Sequence, residues 1–572
     1  MKNTEVAKIL YEIADILELQ NVEFKPRAYR KAAQNIESLG QDIEEIDRKG
    51  KLLDIPGVGK SIAEKIHEYL STGKVKELAH LRKETPIKVE ELFSIEGLGP
   101  KRVKQLYESL KIKNVSELEK AARSGKIRKL KGFGEREEFN IIRAIEFSRS
   151  HQGRMLLGVA EPIAQGIVAD LKKRFLDIIS IIPAGSLRRG KETVGDVDIL
   201  VTATKSKPIM DYFTTMPDVK TVLATGPKKS TILLTNGLQA DLRIIEPQSW
   251  GAALMYFTGS KNHNIALRKL AISKKWKLSE YGLFDAKGKS LAGKTEEGVY
   301  RKLGIRYIEP ELREDAGEIE LAQSENLPDL VTIKDIIGDF HCHSTWSDGT
   351  ASIGEMAKAA MDAGRKYIVM TDHTGVLKIA GGLEPKDFEK QWKEIDTLNR
   401  QSSKKGFTIF KGCEVNIMED GKPDLPDATL KKMDVVVGSI HHGFKNPSTT
   451  MTRRIRMAME NPHIDIIGHL SGRIINKREP YAYDFDELLD VAKSTETVLE
   501  INSFPDRLDL KDSDVREAIK RGVTLSIDTD SHAVEHFLNI RYGLSTARRG
   551  WVTRNDIINW MSAEKVKDYF SK

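Results

Sequence analysis

Apolar residues recur at helical spacing from the start of the chain. Val6, Ile9, Leu10, Ile13 and Leu17 fall at the three- and four-residue intervals of one helix face. Residues 1–150 keep this texture almost throughout, interrupted by Gly-rich turns. From about 155 to 245 the rhythm shortens to β-branched runs (DIISIIPAG, DVDILVTA, STILLT) separated by turn residues, which predicts strands. Residues 250–318 mix helix with short strands, and 319–337, containing LAQSENLPDLVTIKDII, has no strong period and reads as a linker. After 338 seven apolar runs follow: one ending in DFHCH, then YIVMTDH, TIFKGCEVNI, DVVVGSIHH, IDIIGHL, TVLEINS and VTLSIDTD. Helix-like stretches lie between most of them, which suggests a parallel α/β architecture of barrel type, one strand short of the common eight.

Length and composition narrow the classes. A chain of 572 residues is too long for one core and predicts about three to five domains. Forty per cent hydrophobic with 31% charged residues is a globular composition, and no run of eighteen apolar residues interrupts it. The first residues, MKNTEVAKILYEIADILEL, are amphipathic and include acids, so they read as neither signal nor transit peptide. Two cysteines, Cys342 and Cys413, rule out a disulfide framework and fit a reducing cytoplasm. A net charge of +7 permits nucleic acid as a partner without establishing it. A cytoplasmic monomer with no membrane partner is the expectation.

Three turns share one pattern: IPGVGKSIAEKI at 55–66, IEGLGPKRVKQL at 95–106 and a weaker KGFGEREEFNII at 131–142. Each sets G-x-G at a tight turn before a helix, where glycine lets backbone approach a ligand and free N–H groups favour an anion. Gly57, Gly59, Lys60, Gly97, Gly99, Lys101 and Arg102 are therefore candidate contacts to a DNA phosphate backbone. The third copy carries Glu135, Glu137 and Glu138 and predicts such binding less well.

In AGSLRRGKETVGDVDIL, 184–200, a strand would project Asp196 and Asp198 to one side and Val197 and Ile199 to the other. Asp241, in GLQADLRII, offers a third acid on another strand. Three carboxylates can share two Mg²⁺ (or Mn²⁺) ions, one activating a 3′-hydroxyl and one neutralising the phosphates of an incoming nucleotide. Gly185, Ser186 and Arg189 supply donors for a triphosphate. The bland alternative is a strand edge with solvated acids.

Nine of the thirteen histidines lie after residue 338, mostly at the C-terminal ends of apolar runs. His341, His343, His373, Glu414, His441, His469, Asp530 and His532 occupy those ends, and Asp348 completes the first motif. In a parallel barrel all those ends face one mouth, so ligands spread along the chain converge. Imidazole and carboxylate without thiolate suit Zn²⁺, Mn²⁺ or Fe²⁺, and this many ligands suggest two or three ions, an arrangement used for phosphoester hydrolysis. Cys342, between His341 and His343, faces the opposite way and is expected in the core. His442, His463 and His536 are expected at the surface or behind the ligands.

GSLRRG…GDVDIL, ADLRI and YFTGSKNHNIALR at 256–268 resemble the nucleotidyltransferase core of family X DNA polymerases, the group of DNA polymerase beta, over roughly residues 1–318. The histidine pattern resembles the polymerase and histidinol phosphatase (PHP) domain, a distorted seven-stranded (β/α)7 barrel with a trinuclear metal site. The combination is that of bacterial and archaeal family X polymerases. It implies a multidomain chain with an α+β palm and thumb: a helix-hairpin-helix domain of lyase type at 1–80, a second helix-hairpin-helix subdomain at 81–150, palm at 151–250, thumb at 251–318, linker at 319–337 and PHP domain at 338–572. It implies Asp196, Asp198 and Asp241 as the catalytic metal ligands, and Ser186, Arg189 and Gly195 at the triphosphate. Tyr256, Phe257 and Gly259 would line the sugar pocket, with Asn264 and Arg268 near the nascent pair. Lys261 departs from the pattern, standing where the beta enzyme has an acid.

Lys65 matches the Schiff-base lysine of the family's 5′-deoxyribose phosphate lyase, with Lys25 and Tyr29 at supporting positions, and serves equally as a phosphate contact. The resemblance thus implies a repair polymerase that fills short gaps in base excision, acting on gapped or primer–template DNA and dNTPs. Its barrel would act as a 3′–5′ exonuclease and a candidate AP endonuclease. The rivals are a DNA-binding protein whose barrel is a small-molecule phosphatase, a non-enzymatic scaffold, and a transferase acting on RNA.

Overall fold

A computed structural model describes every residue except 1, 21, 23, 38–42, 56, 86, 94, 96–97, 136, 140, 143–144, 146–153, 376–379, 403–405, 477 and 572. Two compact units divide the chain, Met1–Gly153 and Arg154–Lys572. No described helix is long and apolar enough to cross a membrane.

The first unit is helical. Val6, Leu10, Ile13 and Leu17 of the Lys2–Leu19 helix are buried, as their spacing predicts, in one core with Ile36, Ile66, Leu92, Val103, Leu106 and Leu118. Two turns of the repeated pattern lead into helices. Gly59 precedes Lys60–Thr72 and Gly99 precedes Pro100–Leu110, each in extended backbone at the N-cap without a capping side chain. Their first amides are thus left without side-chain partners.

The second unit holds palm, thumb and barrel. The palm sheet comprises β1 (Ile178–Pro183), β2 (Asp196–Ala203), β3 (Val219–Ala224), β4 (Lys229–Leu234) and β5 (Gln239–Ile244), in the order β1-β2-β5-β4-β3. All its pairs are antiparallel except β2–β5. The thumb carries a small antiparallel sheet of β6 (Lys277–Ser279), β7 (Gly282–Phe284) and β8 (Ser290–Ala292). The barrel is β9 (Gly338–Cys342), β10 (Tyr367–Met370), β11 (Thr408–Asn416), β12 (Val435–Ser439), β13 (Ile466–Ile467), β14 (Val498–Asn502) and β15 (Leu525–Asp528), parallel and in chain order. These are the seven runs anticipated from sequence, and a bridge from Cys342 to Ser531 nearly closes the ring.

The segment 319–337, which lacks a period, is packed nonetheless. Ile319, Ala322 and Leu327 belong to the thumb core, and Val331 and Ile336 to the barrel core. It buries its apolar residues in two cores in turn, so no single helical or strand repeat describes it.

Palm and thumb are held by a buried ion network. Glu296 accepts from Arg188 at 2.6 and 2.9 Å and from Arg313 at 2.6 Å. Arg313 is fully buried between the Tyr300 and Tyr307 rings and also donates to the Ile308 carbonyl. Breaking a buried pair from one side leaves an under-compensated charge in a medium that solvates it poorly. Arg313→Met is expected to destabilise the second unit by about 3 kcal/mol, read as a lowered urea midpoint. An unchanged midpoint would show that Arg188 alone satisfies Glu296.

Candidate active sites: a carboxylate triad and a histidine ring

Alternation along β2 buries Val197 and Ile199 in the palm core and leaves Asp196 and Asp198 on the other face. Parallel pairing sets Asp198 directly opposite Asp241 on β5. Arg243, two residues beyond Asp241 and therefore on its face, reaches Asp198 Oδ1 at 3.3 Å and Asp241 Oδ2 at 3.2 Å. Lys229 Nζ on β4 lies 2.6 Å from Asp241 Oδ2. Burial, then the neighbouring Asp196 charge, pushes the Asp198 carboxyl up to about 6. Asp196 is also raised, by desolvation first and by Asp241 second. Asp241 Oδ1 is buried with no hydrogen-bond partner. Three mutually repelling carboxylates with an unsatisfied oxygen form a donor set that a divalent cation fits.

The residues anticipated at a triphosphate stand beside the triad. Gly185, at φ +66°, brings the chain so close that a Cβ there would lie 3.3 Å from Asp198 Oδ2. Arg154 donates to Ser186 Oγ at 3.3 Å and to the Thr193 carbonyl at 2.8 Å, and a Cβ on Gly195 would stand 3.1 Å from its Nη1. Arg189 donates to Glu314 at 3.0 Å and to the Thr258 carbonyl. Tyr256 and Phe257 meet edge to face at 5.1 Å, with the Arg243 guanidinium over Phe257 at 4.3 Å. Gly259, at φ +70°, ends their helix. Asn264 donates to the Tyr256 carbonyl at 2.7 Å and Arg268 to the Asn264 carbonyl at 3.2 Å, while Lys261 is exposed at the start of the next helix.

At the barrel rim the histidines converge. Three groups of donor atoms lie close enough to share ions: His343, Asp348, His373 and His532; His341, His343 and Asp530; and His373, Glu414 and His441. His469 Nε2 joins through Glu414 Oε1 at 3.1 Å. Every ring ligand anticipated from sequence is therefore in or against this cluster. The fit to metal rests on poorly satisfied imidazole: His341 Nε2, both His343 nitrogens and His469 Nδ1 are buried without a well-formed hydrogen bond, and His373 Nδ1 meets only the Glu414 carboxylate, at 2.8 Å. Burial, then the His532 and His373 charges, pushes His343 down to about 3; burial, then Arg507, pushes His469 to about 4. Both rings are thus held neutral, the form that ligates metal. Cys342 is buried in the barrel core and Cys413 is likewise buried and unpaired. His536 accepts from the His532 amide at 3.2 Å, and His442 contacts Arg454.

In the first unit, a cavity of about 610 Å³ is lined by Lys25, Tyr29, Gly57, Gly59, Lys60 and Ser61 among others. Lys65 lies beside it, 5.9 Å from the Tyr29 ring centre, with its ammonium 2.6 Å from Glu77 and 2.9 Å from Ser61 Oγ. Burial pulls that ammonium's pKa down, but the hydrogen bond to Glu77 and the neighbouring Tyr29 hydroxyl outweigh it and leave the pKa raised. Arg102 stacks at 5.4 Å from Phe133, Lys101 is exposed, and Gly97 lies outside the described residues.

Several contributors had gone unread. Glu500 accepts from His341 Nδ1 at 2.7 Å and from the His469 amide at 2.6 Å, orienting two ligands from behind. Asn416 does the same for His441 Nδ1 at 2.8 Å. Arg154, Lys229 and Arg243 surround the triad. An acid inside the apolar run TVLEINS was the signal for Glu500, and the i+2 spacing from Asp241 was the signal for Arg243.

The chain matches family models for a helix-hairpin-helix domain at 1–75, a SAM-like helix-hairpin-helix tandem at 89–146, the DNA polymerase beta palm at 161–263, the DNA polymerase beta thumb at 253–314 and the PHP domain at 339–504. It is 35% identical to the DNA polymerase/3′-5′ exonuclease PolX of Bacillus subtilis (strain 168) over the whole of both chains. A probable phosphatase of Thermoanaerobacter sp. (strain X514) is 30% identical over 41% of this chain and 95% of its own. DNA polymerase lambda of Rattus norvegicus is 27% identical over 54% of this chain and 56% of its own.

His343 belongs to two of the three donor groups and Asp348 to one. In protein loaded with Mn²⁺ or Zn²⁺, His343→Ala is expected to lower the metal content by more than one ion per chain and Asp348→Ala by one, measured by elemental mass spectrometry. Equal losses would reject shared ligation.

Proposed function

The chain belongs to the family X DNA polymerases that carry a PHP domain, and on that premise we propose that it fills short gaps in DNA during base excision repair and trims 3′ ends with its barrel. The observation that carries the reading is the pairing, in one compact unit, of the Asp196–Asp198–Asp241 triad with a separate ring of histidines and acids whose donor atoms lie close enough to share metal ions.

At the palm, the triad would hold Mg²⁺ or Mn²⁺, and the barrel ring two or three Zn²⁺, Mn²⁺ or Fe²⁺; such ions acidify a bound hydroxyl or water and neutralise phosphate charge. This chain's own groups do the rest. Arg154, Ser186 and Arg189 bind the triphosphate from one side, and Gly185 and Gly195 let backbone and guanidinium close in. Arg243 holds Asp198 and Asp241 together until cations take over its role. Tyr256, Phe257, Asn264 and Arg268 form one hydrogen-bonded and stacked group for sugar and base. Glu500 fixes the tautomer of His341 so that its Nε2 faces the ring. Hairpin amides at Gly59 and Gly99 would take DNA phosphates without reading sequence. A reducing cytoplasm suits a chain whose two cysteines are both buried and unpaired.

For Lys65, the Glu77 ion pair favours the ammonium and supports the phosphate-contact reading over Schiff-base chemistry, which requires a free amine. Borohydride in the presence of a 5′-deoxyribose phosphate end is expected to trap no adduct at neutral pH; an adduct lost in Lys65→Ala would establish the lyase.

The two-site reading is tested on gapped and 3′-labelled duplexes with Mg²⁺ and Mn²⁺ compared. Asp198→Ala is expected to abolish extension and spare 3′ trimming, and His341→Ala to do the reverse. Loss of both activities in either variant would defeat the assignment. Release of phosphate from monoesters without trimming would make the barrel a small-molecule phosphatase instead.

A further inference from the structure

The palm segment that begins at Gly190 packs against the barrel domain. Gly190, at φ +62°, meets the barrel helix Ile540–Arg549 so closely that a Cβ there would fall 1.7 Å from Ser545 Oγ. Four residues on, that helix ends in Arg549, whose side chain is 4% exposed. Its guanidinium donates to Asp512 Oδ2 at 2.8 Å, to Glu314 Oε1 at 3.0 Å and to the backbone carbonyl of Arg189 at 3.0 Å. Glu314 Oε1 is the same atom that receives Arg189 Nε at 3.0 Å. Palm, thumb and barrel thus each contribute one member of an Arg189–Glu314–Arg549 chain. A cavity of about 410 Å³ opens onto it, lined by Arg154, Arg189 and Lys191 of the palm and by Asp512, Thr546 and Arg549 of the barrel domain.

We propose that the barrel domain is part of the nucleotide site: Arg549 is a positioning residue for dNTP binding, acting on Arg189 through Glu314 and through the Arg189 carbonyl. The inference rests on the reading of Arg189 as a triphosphate contact and goes beyond it, because it assigns a polymerase role to a residue outside the palm and thumb. Two physical effects support it. Glu314 Oε1 divides its charge between Arg189 and Arg549, each at 3.0 Å, so less of the Arg189 guanidinium's charge is neutralised there and more is left for a triphosphate. Removing Arg549 also leaves Asp512 without its guanidinium partner on the wall of that cavity and leaves Glu314 to Arg189 and Lys191 alone, and removal of one partner of a buried pair is costly for the charge left behind. Arg549 touches no ligand of the histidine ring, so its effect belongs to polymerisation alone.

The test is a double-mutant cycle on the full chain, reading KM for dNTP, kcat for gap extension and the rate of 3′ trimming. Arg549→Met is expected to raise KM by about tenfold, the equivalent of about 1.4 kcal/mol, with kcat within about threefold and trimming unchanged. Arg189→Ala is expected to raise KM at least as much, and Arg189→Ala with Arg549→Met to be no worse than Arg189→Ala alone, because one residue works through the other. Arg549→Lys keeps the charge but not the fork that reaches three acceptors, and should fall between wild type and Arg549→Met. An unchanged KM in Arg549→Met, or effects that add in the double variant, overturns the proposal. If Arg549→Met does not fold, an unchanged KM in Arg549→Lys overturns it. A normal KM in Arg189→Ala would instead bring down the triphosphate reading itself.

Discussion

Parallel strand pairing decides where the ligands of both sites point, and it does so through register rather than through any strong single bond. In the palm, one parallel pair inside an otherwise antiparallel sheet sets Asp198 against Asp241. A slip of one residue would turn Asp196 and Asp198 into the core and expose Val197 and Ile199. In the barrel, seven parallel strands bring their C-terminal ends to one rim, so the rings of His343 and His532 stack at 4.1 Å although 189 positions separate them. The buried apolar residues of each strand therefore hold the register on which the chemistry depends.

That register forces like charges together, and the structure answers with different counter-charges at the two sites. Around the triad the compensation is cationic: Arg243 spans Asp198 and Asp241, and Lys229 sits on Asp241. In the ring it is internal, with Glu414 between His373 at 2.8 Å and His469 at 3.1 Å, and Asp348 3.3 Å from His532. Glu414 is accordingly held well below the usual carboxylate range: the surrounding histidine charges outweigh its burial. Burial alone would raise that carboxyl. A cation entering either site replaces partners already present, so metal binding at both is an exchange of counter-charges and not the filling of a bare acid patch.

Most of this was legible in the sequence because the relevant signals are local. D-V-D on a strand, H-C-H at a strand end and G-x-G before a helix each state a side-chain direction within three residues. The seven-run rhythm carried the barrel in the same way. What stayed hidden depends on contacts across hundreds of residues. Arg549 is one more basic residue in TARRG until the fold sets it against Glu314 and Arg189, and nothing periodic marks it. Glu500 and Asn416 sit behind ligands, and their value appears only when the imidazole they orient is in place. The segment 319–337 showed no period because it serves two cores in succession.

The consecutive arginines of GSLRRG show why palm, thumb and barrel form one body. Arg188 turns to Glu296, which is shared with the fully buried Arg313, and Arg189 turns to Glu314, which is shared with Arg549. Arg473, on the loop after the ring ligand His469, reaches the palm at Glu192 at 2.8 Å and holds the Arg507 and Leu508 carbonyls of the neighbouring loop. A short stretch of palm, 188–192, is therefore tied to the thumb and to barrel loops next to the second site. Such ties are weak where solvent reaches them and strong where it does not. Arg313, Arg549 and Arg473 are all buried while the acids that Arg549 and Arg473 meet are partly open, so the stretch 188–192 is tied on both sides by arginines that solvent does not reach.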